Sequence, residues 1–321
     1  MVDGPGRITL WGVEVFVATA EEGSISAAAR RLGASPSAVS QQLTNLENAI
    51  GATLLVRNTR PVGLTPAGEM FRRRASSILN EAALARAELS NAQMTRLTRL
   101  RLGAIEDFEA DVTPSLLTVL ADQLTGCQFQ LETGASHSLH DQLDARGLDV
   151  VIAADMGAHP DWAEAHPILT EGFVVVAPLQ QVDRAWDVLA QLQSLPLVQY
   201  TTRHYMGQLL AAHLARQNLI LSHRFELDSY HAILALVAQG KGWSILPPLA
   251  LMRARRFWPG LDVFELPFAQ LHRTITVTAR KDMLGDIPTQ VAAQLKPILQ
   301  AEVVTPAIQA YPFMKKLLKL L

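Results

Sequence analysis

The chain has one cysteine, Cys127, among its 321 residues. One thiol cannot form an internal disulfide, so a disulfide-stabilised secreted scaffold is excluded and a reducing cytoplasm is the expected compartment. We expect this cysteine to act as a small buried hydrophobic residue. The sequence also lacks a positively charged leader with an apolar core and any uninterrupted apolar run of membrane-spanning length. No membrane partner is therefore expected.

Enzyme signatures are missing as well. The sequence has no glycine-rich phosphate loop and no Gly-x-Ser-x-Gly nucleophile elbow. His137 and His140 lie three residues apart beside two aspartates, but no cysteine or further histidine follows at metal-ligand spacing. We expect this segment to be a solvated helix start after Ser136. The sequence predicts no enzyme, no metal site and no cofactor.

Lysine is absent from the first hundred residues, yet their charge is positive. Residues 1–100 carry eleven Arg against eight acidic residues, a balance of +3, and the remainder carries seventeen basic against twenty-two acidic residues, a balance of −5. The net charge of −2 therefore conceals a basic N-terminal part on an acidic body. Because phosphate contacts supply most of the non-specific energy of DNA binding, the N-terminal part is the expected nucleic-acid site.

Two short helices joined by a tight turn are predicted between residues 24 and 50. The first covers residues 26–32 and ends before Gly33; the second starts after Ser35, a good N-cap, with Pro36 at the first helical position. On the second helix, apolar residues recur every three or four positions and leave a polar outer face. Such a helix fits the major groove of B-DNA.

An arginine-bearing hairpin is predicted over residues 54–65, around Pro61 and Gly63. With the two helices it makes a winged helix-turn-helix over residues 1–66. The alternative is an alanine-rich helical hairpin with a solvated basic face. The expected DNA-binding residues are Arg30, Arg31, Ser35, Ser37, Ser40, Gln41, Thr44, Arg57, Arg60 and Thr65.

A long helix is predicted next, because Thr65-Pro66 followed by Glu69 is a helix-start signal. Its apolar positions alternate steps of four and three, a 3.5-residue repeat typical of two helices wound around each other. We interpret residues 67–97 as a linker and dimerisation helix; a single helix lying on its own domain is the alternative. The repeat consists of Phe71, Ala75, Ile78, Ala82, Ala85, Leu89 and Ala92. Two-fold symmetry would match a partly palindromic operator.

From Leu100 onward, short β-branched segments alternate with amphipathic ones. Strands are predicted at residues 100–105, 129–133, 149–154, 173–177, 197–200, 243–246 and 274–278, and helices at 115–121, 139–143, 206–217 and 232–239. Alternation of this kind is typical of parallel sheets with helices on both faces. Two such lobes would leave a cleft at the carboxyl ends of the strands, where small ligands bind in open α/β sheets.

Residues 15–66 resemble the DNA-binding domain of LysR-type transcriptional regulators. The resemblance rests on residues 23–32, 35–43, 46–47, 51, 54–57 and 64–68. It continues into the body, where residues 240–247 are similar to a Gly-x-Gly segment of the family, and it covers the chain to about residue 300. Pro36 departs from the family, which often has a DNA-contacting Gln there. Base contacts are therefore expected from Ser37, Ser40 and Gln41.

The resemblance implies an α+β multidomain protein: a winged helix-turn-helix, a long linker helix and a two-lobed α/β domain similar to periplasmic binding proteins. The two-lobed domain would cover residues 98–300, with lobe I at about 98–167 and 274–300 and lobe II at about 168–273. Residues 301–321 form a tail, expected as a short amphipathic helix that docks or frays and carries Lys315, Lys316 and Lys319.

The resemblance also implies a small-molecule effector between the lobes. Its expected contacts are Ile105, Glu106, Asp107, Phe108, Thr133, Ser136, Thr201, Thr202, Arg203, Tyr205, Asp228, Ser229, Tyr230 and Trp243. Helix N-termini at such places suit a carboxylate. The acids Glu106 and Asp107 together with the aromatic rings suit a cationic or zwitterionic ligand instead. In the alternative interpretation, the acids are solvated and the aromatic residues pack in the core or hinge.

By the same resemblance, we expect a cytoplasmic regulator that binds and bends double-stranded DNA as a homodimer or homotetramer, with RNA polymerase as a further partner. The effector would shift the relative pose of the lobes and so the spacing of the DNA-binding parts. The alternative is a small-molecule binding protein whose basic N-terminal part serves only for oligomerisation.

Overall fold

The computed structural model describes residues 7–57, 59–88, 97–157 and 159–321, with the side chains of residues 80 and 83–88 excepted. The chain divides into two compact units, Met1–Arg99 and Leu100–Leu321, which we call the head and the body. Within the described ranges, no helix is both long enough and apolar enough to cross a bilayer.

The head consists of helices and a small hairpin. Its elements are α1 (Leu10–Glu22), α2 (Ile25–Arg31), α3 (Pro36–Ile50), β1 (Leu55–Val56), β2 (Gly63–Leu64) and α4 (Pro66–Glu88). The predicted start of the second helix is confirmed, since Ser35 caps α3 by accepting a hydrogen bond from Ala38 N and Pro36 stands at its first turn. The strands β1 and β2 pair antiparallel, which confirms the hairpin.

The core of the head is formed where α1, α3 and the hairpin meet. Val13, Phe16, Val39 and Leu43 are at most 1% exposed and belong to one hydrophobic cluster. The first half of α4 packs against the same cluster, because the Phe71 ring meets the Phe16 ring edge-on with centroids 5.1 Å apart. Burial of such rings fixes α4 to its own head.

The body alternates strands and helices along the chain. Its elements are β3 (Arg99–Ile105), α5 (Val112–Gln123), β4 (Gln128–Gly134), α6 (Ser136–Asp144), β5 (Val150–Ala154), β6 (Ala163–Gly172), β7 (Val174–Pro178), α7 (Val188–Ser194), β8 (Leu197–Tyr200), α8 (Tyr205–Arg216), β9 (His223–Leu227), α9 (Tyr230–Ala238), β10 (Ser244–Leu246), α10 (Pro248–Arg253), β11 (Leu261–Glu265), β12 (His272–Arg280), α11 (Ile287–Leu299), α12 (Thr305–Ala310) and β13 (Leu318–Leu320).

These strands form the sheets of two lobes. Lobe I has a six-stranded sheet of order β13-β6-β12-β5-β3-β4. Lobe II has β7 between β10 and β11, and β8 beside β9; a bridge between Leu197 and Trp243 joins β8 to the chain entering β10. The two-lobed α/β architecture expected from the sequence is therefore confirmed.

The expectation of parallel sheets is met only in part. Strands β3 and β5 are parallel, as are β8 and β9, but β12 is antiparallel to β5 and β6, and β7 is antiparallel to β10 and β11. The chain crosses between the lobes twice in opposite directions, from β6 to β7 and from β11 to β12. Neighbouring strands at the crossing must therefore run in opposite directions, which gives a mixed sheet.

The crossings also correct the predicted lobe limits. Strand β6 continues to Gly172 and β12 begins at His272, so the predicted limits at 167/168 and 273/274 fall inside strands. The polar residues of β6 obscured its strand pattern in the sequence. Both strands that enter the crossing thus belong to lobe I.

The C-terminal tail docks, but its end is a strand where an amphipathic helix was expected. Strand β13 pairs antiparallel with β6, with Leu318 opposite Glu171 and Leu320 opposite Leu169. Leu317 and Leu318 are buried, and Lys319 between Leu318 and Leu320 is exposed. The alternation places the leucines on the core side of the sheet edge, and backbone pairing with β6 replaces helix formation.

Candidate functional site

The outer face of α3 carries small polar side chains. Ser37 and Gln41 are exposed, while Ser40 and Thr44 are partly exposed. Each is held by a local contact: Gln41 Nε2 donates to Asn45 Oδ1 at 3.0 Å, and Thr44 Oγ1 donates to Ser40 O at 3.1 Å. Such short-range contacts at the surface can be exchanged for contacts to phosphates or base edges.

The four arginines predicted to contact DNA differ in their surroundings. Arg30 and Arg60 are exposed, and neither forms an ion pair or side-chain hydrogen bond with another described residue. Arg31 is instead bound to Glu21 at 2.8 Å and to Glu22 at 3.3 Å, which ties α2 to the end of α1. Arg30 and Arg60 are thus the arginines most available to phosphates.

Glu47 of α3 anchors the hairpin, a role that the sequence analysis did not assign. Its Oε2 accepts from Arg57 Nη2 at 2.5 Å, and its Oε1 accepts from the backbone N–H groups of Leu54 at 2.8 Å and Leu55 at 3.2 Å. Arg57 Nη1 also donates to Thr44 Oγ1 at 3.3 Å. Arg57 therefore joins the hairpin to α3 before any DNA is bound.

Thr65, predicted to contact DNA, serves the fold of the head. Its hydroxyl donates to Thr53 O at 2.7 Å and accepts from Gly68 N at 2.9 Å, so it caps the start of α4. At Gly68 a Cβ atom would lie 2.0 Å from Leu54 O, so only glycine fits this approach of α4 to the hairpin. The Thr65 hydroxyl therefore has a structural role, and its contact with DNA stays a prediction.

The predicted dimerisation repeat is divided along α4. Phe71 and Ala75 pack into the core of the head, and Ala75 is 0% exposed. Ile78 is 38% exposed and Ala82 partly exposed, so both are open to a second copy. The Ala85 side chain lies outside the described residues, as do Leu89 and Ala92 entirely.

In the body, a cleft with about 470 Å³ of open space lies between the lobes. Lobe I contributes the loop after β3 and the start of α6, and lobe II contributes the end of β8 and the starts of α8 and α9. The lining residues are Ile105, Glu106, Asp107, Gly134, Ala135, Ser136, His137, Tyr200, His204, Tyr205, Met206, Tyr230 and Arg273.

Six of the predicted effector residues line this cleft: Ile105, Glu106, Asp107, Ser136, Tyr205 and Tyr230. Six others do not line the cleft: Thr133, Thr202, Arg203, Asp228, Ser229 and Phe108. Of these, Phe108 is buried at 1% exposure. The remaining two have structural hydrogen bonds. Thr201 Oγ1 donates to Glu226 Oε1 at 2.7 Å, and the fully buried Trp243 donates from Nε1 to Leu192 O at 2.8 Å.

Trp243 and Phe108 are therefore corrections to the predicted aromatic lining. Two other aromatic residues form it: the rings of Tyr200 and Tyr230 stack with centroids 4.8 Å apart, and both line the cleft. Burial, followed by the nearby Asp107 and Glu106 charges, raises the pKa of Tyr200 to about 12, so its hydroxyl stays protonated.

The helix start predicted at this segment is confirmed, since α6 begins at Ser136, but its two histidines are partly buried where solvated side chains were expected. His137 is half-buried and lines the cleft from lobe I, with its ring 5.3 Å from the ring of His204 in lobe II. His140 lies behind it, with Nε2 3.2 Å from Ala154 O, and burial lowers the pKa of this imidazole. His137 and His204 thus meet across the cleft.

Arg273 is the main residue of the cleft that sequence analysis missed. Its Nε donates to Glu171 Oε1 at 2.6 Å and its Nη2 to Asp107 Oδ2 at 2.7 Å. Glu171 Oε2 accepts further from Leu249 N at 2.9 Å. The three side chains are at most 4% exposed. Two carboxyl groups thus share one guanidinium.

Polar atoms in the cleft are left without partners. Asp107 Oδ1 and His137 Nδ1 are buried and form no hydrogen bond with any described residue. A buried polar atom without a partner costs free energy, so each favours a ligand that can hydrogen-bond to it. Tyr205 meanwhile bridges the lobes, because its hydroxyl donates to Asp155 O at 3.3 Å.

The comparisons with known proteins match both units. Residues 10–69 match the family described as "Bacterial regulatory helix-turn-helix protein, lysR family", and residues 96–295 match the "LysR substrate binding domain". The chain belongs to the LysR family. It is a DNA-binding transcriptional regulator with an effector-binding domain, and not an enzyme.

Among curated relatives, this LysR-family chain is 34% identical over 168 residues to a "Probable hydrogen peroxide-inducible genes activator" of Streptomyces viridosporus. The match covers 52% of the chain and spans about half, 54%, of that relative. It is 29% identical over 241 residues to the "Uncharacterized HTH-type transcriptional regulator YfeR" of Shigella flexneri, covering 74% of the chain and 78% of the relative.

Solved structures show the same fold. A cysteine variant of full-length OxyR from Pseudomonas aeruginosa is 24% identical, with a TM-score of 0.66, over 93% of this chain and 97% of that one. A cysteine mutant of Corynebacterium glutamicum OxyR is 24% identical, with a TM-score of 0.63, over 96% and 97% of the two chains. At this identity the likeness concerns the fold alone.

Proposed function

We propose that this LysR-family regulator reads its operator through the exposed face of α3 and responds to a small molecule bound in the cleft of the body. The DNA-binding part of the proposal rests on the polar face of α3. Ser37 and Gln41 are exposed on this helix, which is capped by Ser35. Hydroxyl and amide groups at these positions can reach base edges in a major groove.

Phosphate contacts are assigned to the available arginines. Arg30 and Arg60 are exposed and have no charged partner among the described residues, so ion pairing within the head does not compete with DNA. Each phosphate contact adds affinity that falls with salt, because the contact releases a condensed counterion. Arg57 contributes through its anchorage to Glu47, which fixes the hairpin beside α3.

The response to a ligand is assigned to the cleft. Its lining comes from both lobes, and Tyr205 already connects them through Asp155 O. A ligand that contacts both lobes changes their relative pose only if it binds one pose better than the other. The change of pose would then alter how the DNA-binding units are spaced on the operator and how strongly they bend it.

Two copies are proposed to pair through α4. Ile78 is an apolar residue exposed at 38% on the helix whose repeat favours helix pairing. A two-fold dimer presents two α3 helices and fits a partly palindromic operator. Assembly into tetramers, contact with RNA polymerase and a cytoplasmic location belong to the same proposal.

Some relatives are named as probable hydrogen peroxide-inducible genes activators, which suggests a disulfide-based response to peroxide. Such a response does not fit this chain. Cys127 is the single cysteine of the sequence, so no disulfide can form within one chain. Burial, with the Asp149 charge, raises the pKa of its thiol to about 11, which suppresses the reactive thiolate at neutral pH. We therefore propose a reversibly bound small molecule as the signal.

A footprint on the promoter DNA of the chain's own gene tests the proposal. The full-length protein is expected to protect two half-sites about one helical turn apart, with an affinity that falls steeply with salt. Ser37→Ala and Gln41→Ala should each weaken operator binding by about 1–3 kcal/mol, whereas the control Asn48→Ala, exposed at the far end of α3, should not. Equal affinity for operator, random duplex and heparin would instead support a basic oligomerisation head.

A further inference from the structure

The cleft has an acidic end built around Asp107. Asp107 is one of the residues that line the cleft, and its side chain is 3% exposed. Its Oδ2 is bound by Arg273, and its buried Oδ1 has no hydrogen-bond partner among the described residues. Its two partners in the cluster, Arg273 and the second carboxyl group, Glu171, are buried with it. A buried carboxylate oxygen of this kind binds an N–H donor, and binds a cationic one most strongly.

The cleft also has groups that favour anions. Helices α6, α8 and α9 all begin at its wall, with Ser136, Tyr205 and Tyr230 among the lining residues. In none of these three helices does the N-cap side chain accept a hydrogen bond from the first turn. The first-turn N–H groups and the helix dipoles therefore remain available to a carboxylate.

Apolar surface also lines the cleft. The stacked rings of Tyr200 and Tyr230 and the side chain of Met206 line the cleft. An aromatic face accepts an apolar group or the edge of a cation.

We propose that the effector is a zwitterion of the α-amino acid class. Its ammonium group donates to Asp107 Oδ1, its carboxylate accepts from the N-terminal N–H groups of α6 and α8, and its side chain lies against Tyr200 and Met206. A simple carboxylate would leave Asp107 Oδ1 without a donor, and a simple amine would leave the helix N-termini without an acceptor. The inference rests on the proposed role of the cleft and specifies its ligand.

Calorimetric titration of the full-length protein with matched probes tests this. The panel contains the twenty protein α-amino acids, the carboxylate obtained from each by removing the amino group, and the amine obtained by removing the carboxyl group. At least one amino acid should bind about 10-fold or more tightly than both of its truncated forms, since each lost charge-assisted contact is worth at least one factor of ten. A truncated acid or amine that binds as tightly as its parent overturns the inference, as does a panel with no binder.

Asp107→Asn provides the matching variant, and Asp141→Asn, exposed on α6, is the control. The asparagine keeps the size of the side chain, so the affinity for the amino acid should fall about 10- to 100-fold while that for the carboxylate without the amino group stays level or rises. The ratio of the two affinities separates lost charge recognition from a general disturbance of the fold. An unchanged ratio in Asp107→Asn would refute the assignment.

Operator footprinting without any ligand keeps the two proposals separable. If DNA protection persists and a monofunctional acid proves to be the ligand, the effector cleft stands and only the zwitterion is wrong. If the protein protects no specific DNA, the proposed function fails whatever the titrations show.

Discussion

Arg273 Nε donates to Glu171 Oε1 across 2.6 Å, and the two residues are register partners on β12 and β6, the strands that enter the crossing between the lobes. The same guanidinium binds Asp107 in the loop after β3. One buried arginine thus connects both crossing strands to the wall of the cleft. Its partners are acidic and almost wholly buried. Removing one member of this cluster should therefore lower the free energy of unfolding of the body.

Replacing Arg273 by methionine should destabilise the body strongly. The change leaves Asp107 and Glu171 buried without their counter-charge, for which a loss of about 3–5 kcal/mol is expected. Urea denaturation followed by circular dichroism measures it. The control Lys281→Ala, an exposed residue, should change stability by less than about 0.5 kcal/mol. A loss below about 1 kcal/mol for Arg273→Met would contradict the role given to the cluster.

Glu171 should make stability depend on pH. Burial raises the pKa of its carboxyl in the folded state, Arg273 opposes this and Asp107 adds to it. A carboxyl with a raised folded pKa stabilises the fold fully below its unfolded pKa, and this contribution is lost as the pH rises through the folded pKa.

The variant Glu171→Gln isolates this effect, because glutamine does not titrate. The difference in unfolding free energy, variant minus parent, should increase as the pH is raised from about 4.5, the usual value for Glu, toward neutrality. Urea midpoints at a series of pH values measure the difference. If it stays flat over this range, the raised pKa of Glu171 is refuted.

Cys127 should react slowly with thiol reagents at neutral pH. With a pKa of about 11, its thiolate fraction at pH 8 is about one in a thousand, so alkylation should accelerate about tenfold per pH unit up to pH 10. N-ethylmaleimide kinetics followed by mass spectrometry measure this, with glutathione as the reference thiol. Cys127→Ser should leave operator binding unchanged. A rate that levels off below pH 9 would restore the thiol as a candidate sensor.

Glu47→Gln should loosen the hairpin and weaken DNA binding. The amide can still accept from the N–H groups of Leu54 and Leu55, but the charged contact with Arg57 is lost, a cost of about 1.5–3 kcal/mol to the head. Limited proteolysis at the hairpin and operator titrations measure the two effects. Glu69→Gln, exposed on α4, is the control. Unchanged protease sensitivity would contradict the anchoring role.

Local signals in the sequence predicted a large part of the fold. Ser35 and Pro36 fix the start of α3 because capping depends on neighbours in the chain. The buried β-branched runs of β5 and β7 are likewise recognisable in isolation. By contrast, β6 is polar along much of its length, and β13 has only three residues; both are strands because of pairing with distant partners.

The cleft was predictable only in part for the same reason. The cleft residues in the loop after β3 and at the start of α8 lie next to a strand and a helix that the sequence predicts. Arg273 is 102 residues from Glu171 and 166 from Asp107 along the chain, and nothing near it indicates that these charges meet. Trp243 was misassigned because an aromatic residue before a strand looks the same whether its ring enters a cleft or the core.

The carboxylate of Glu47 joins α3 and the hairpin into a single rigid unit. Since Arg57 and the start of the hairpin are bound to the helix that we propose to enter the groove, the distance between the proposed major-groove and flanking contacts is set by the protein alone. A duplex whose groove widths do not match that distance has to be deformed to fit. The affinity for an operator would then also depend on the stiffness of base steps that no side chain contacts.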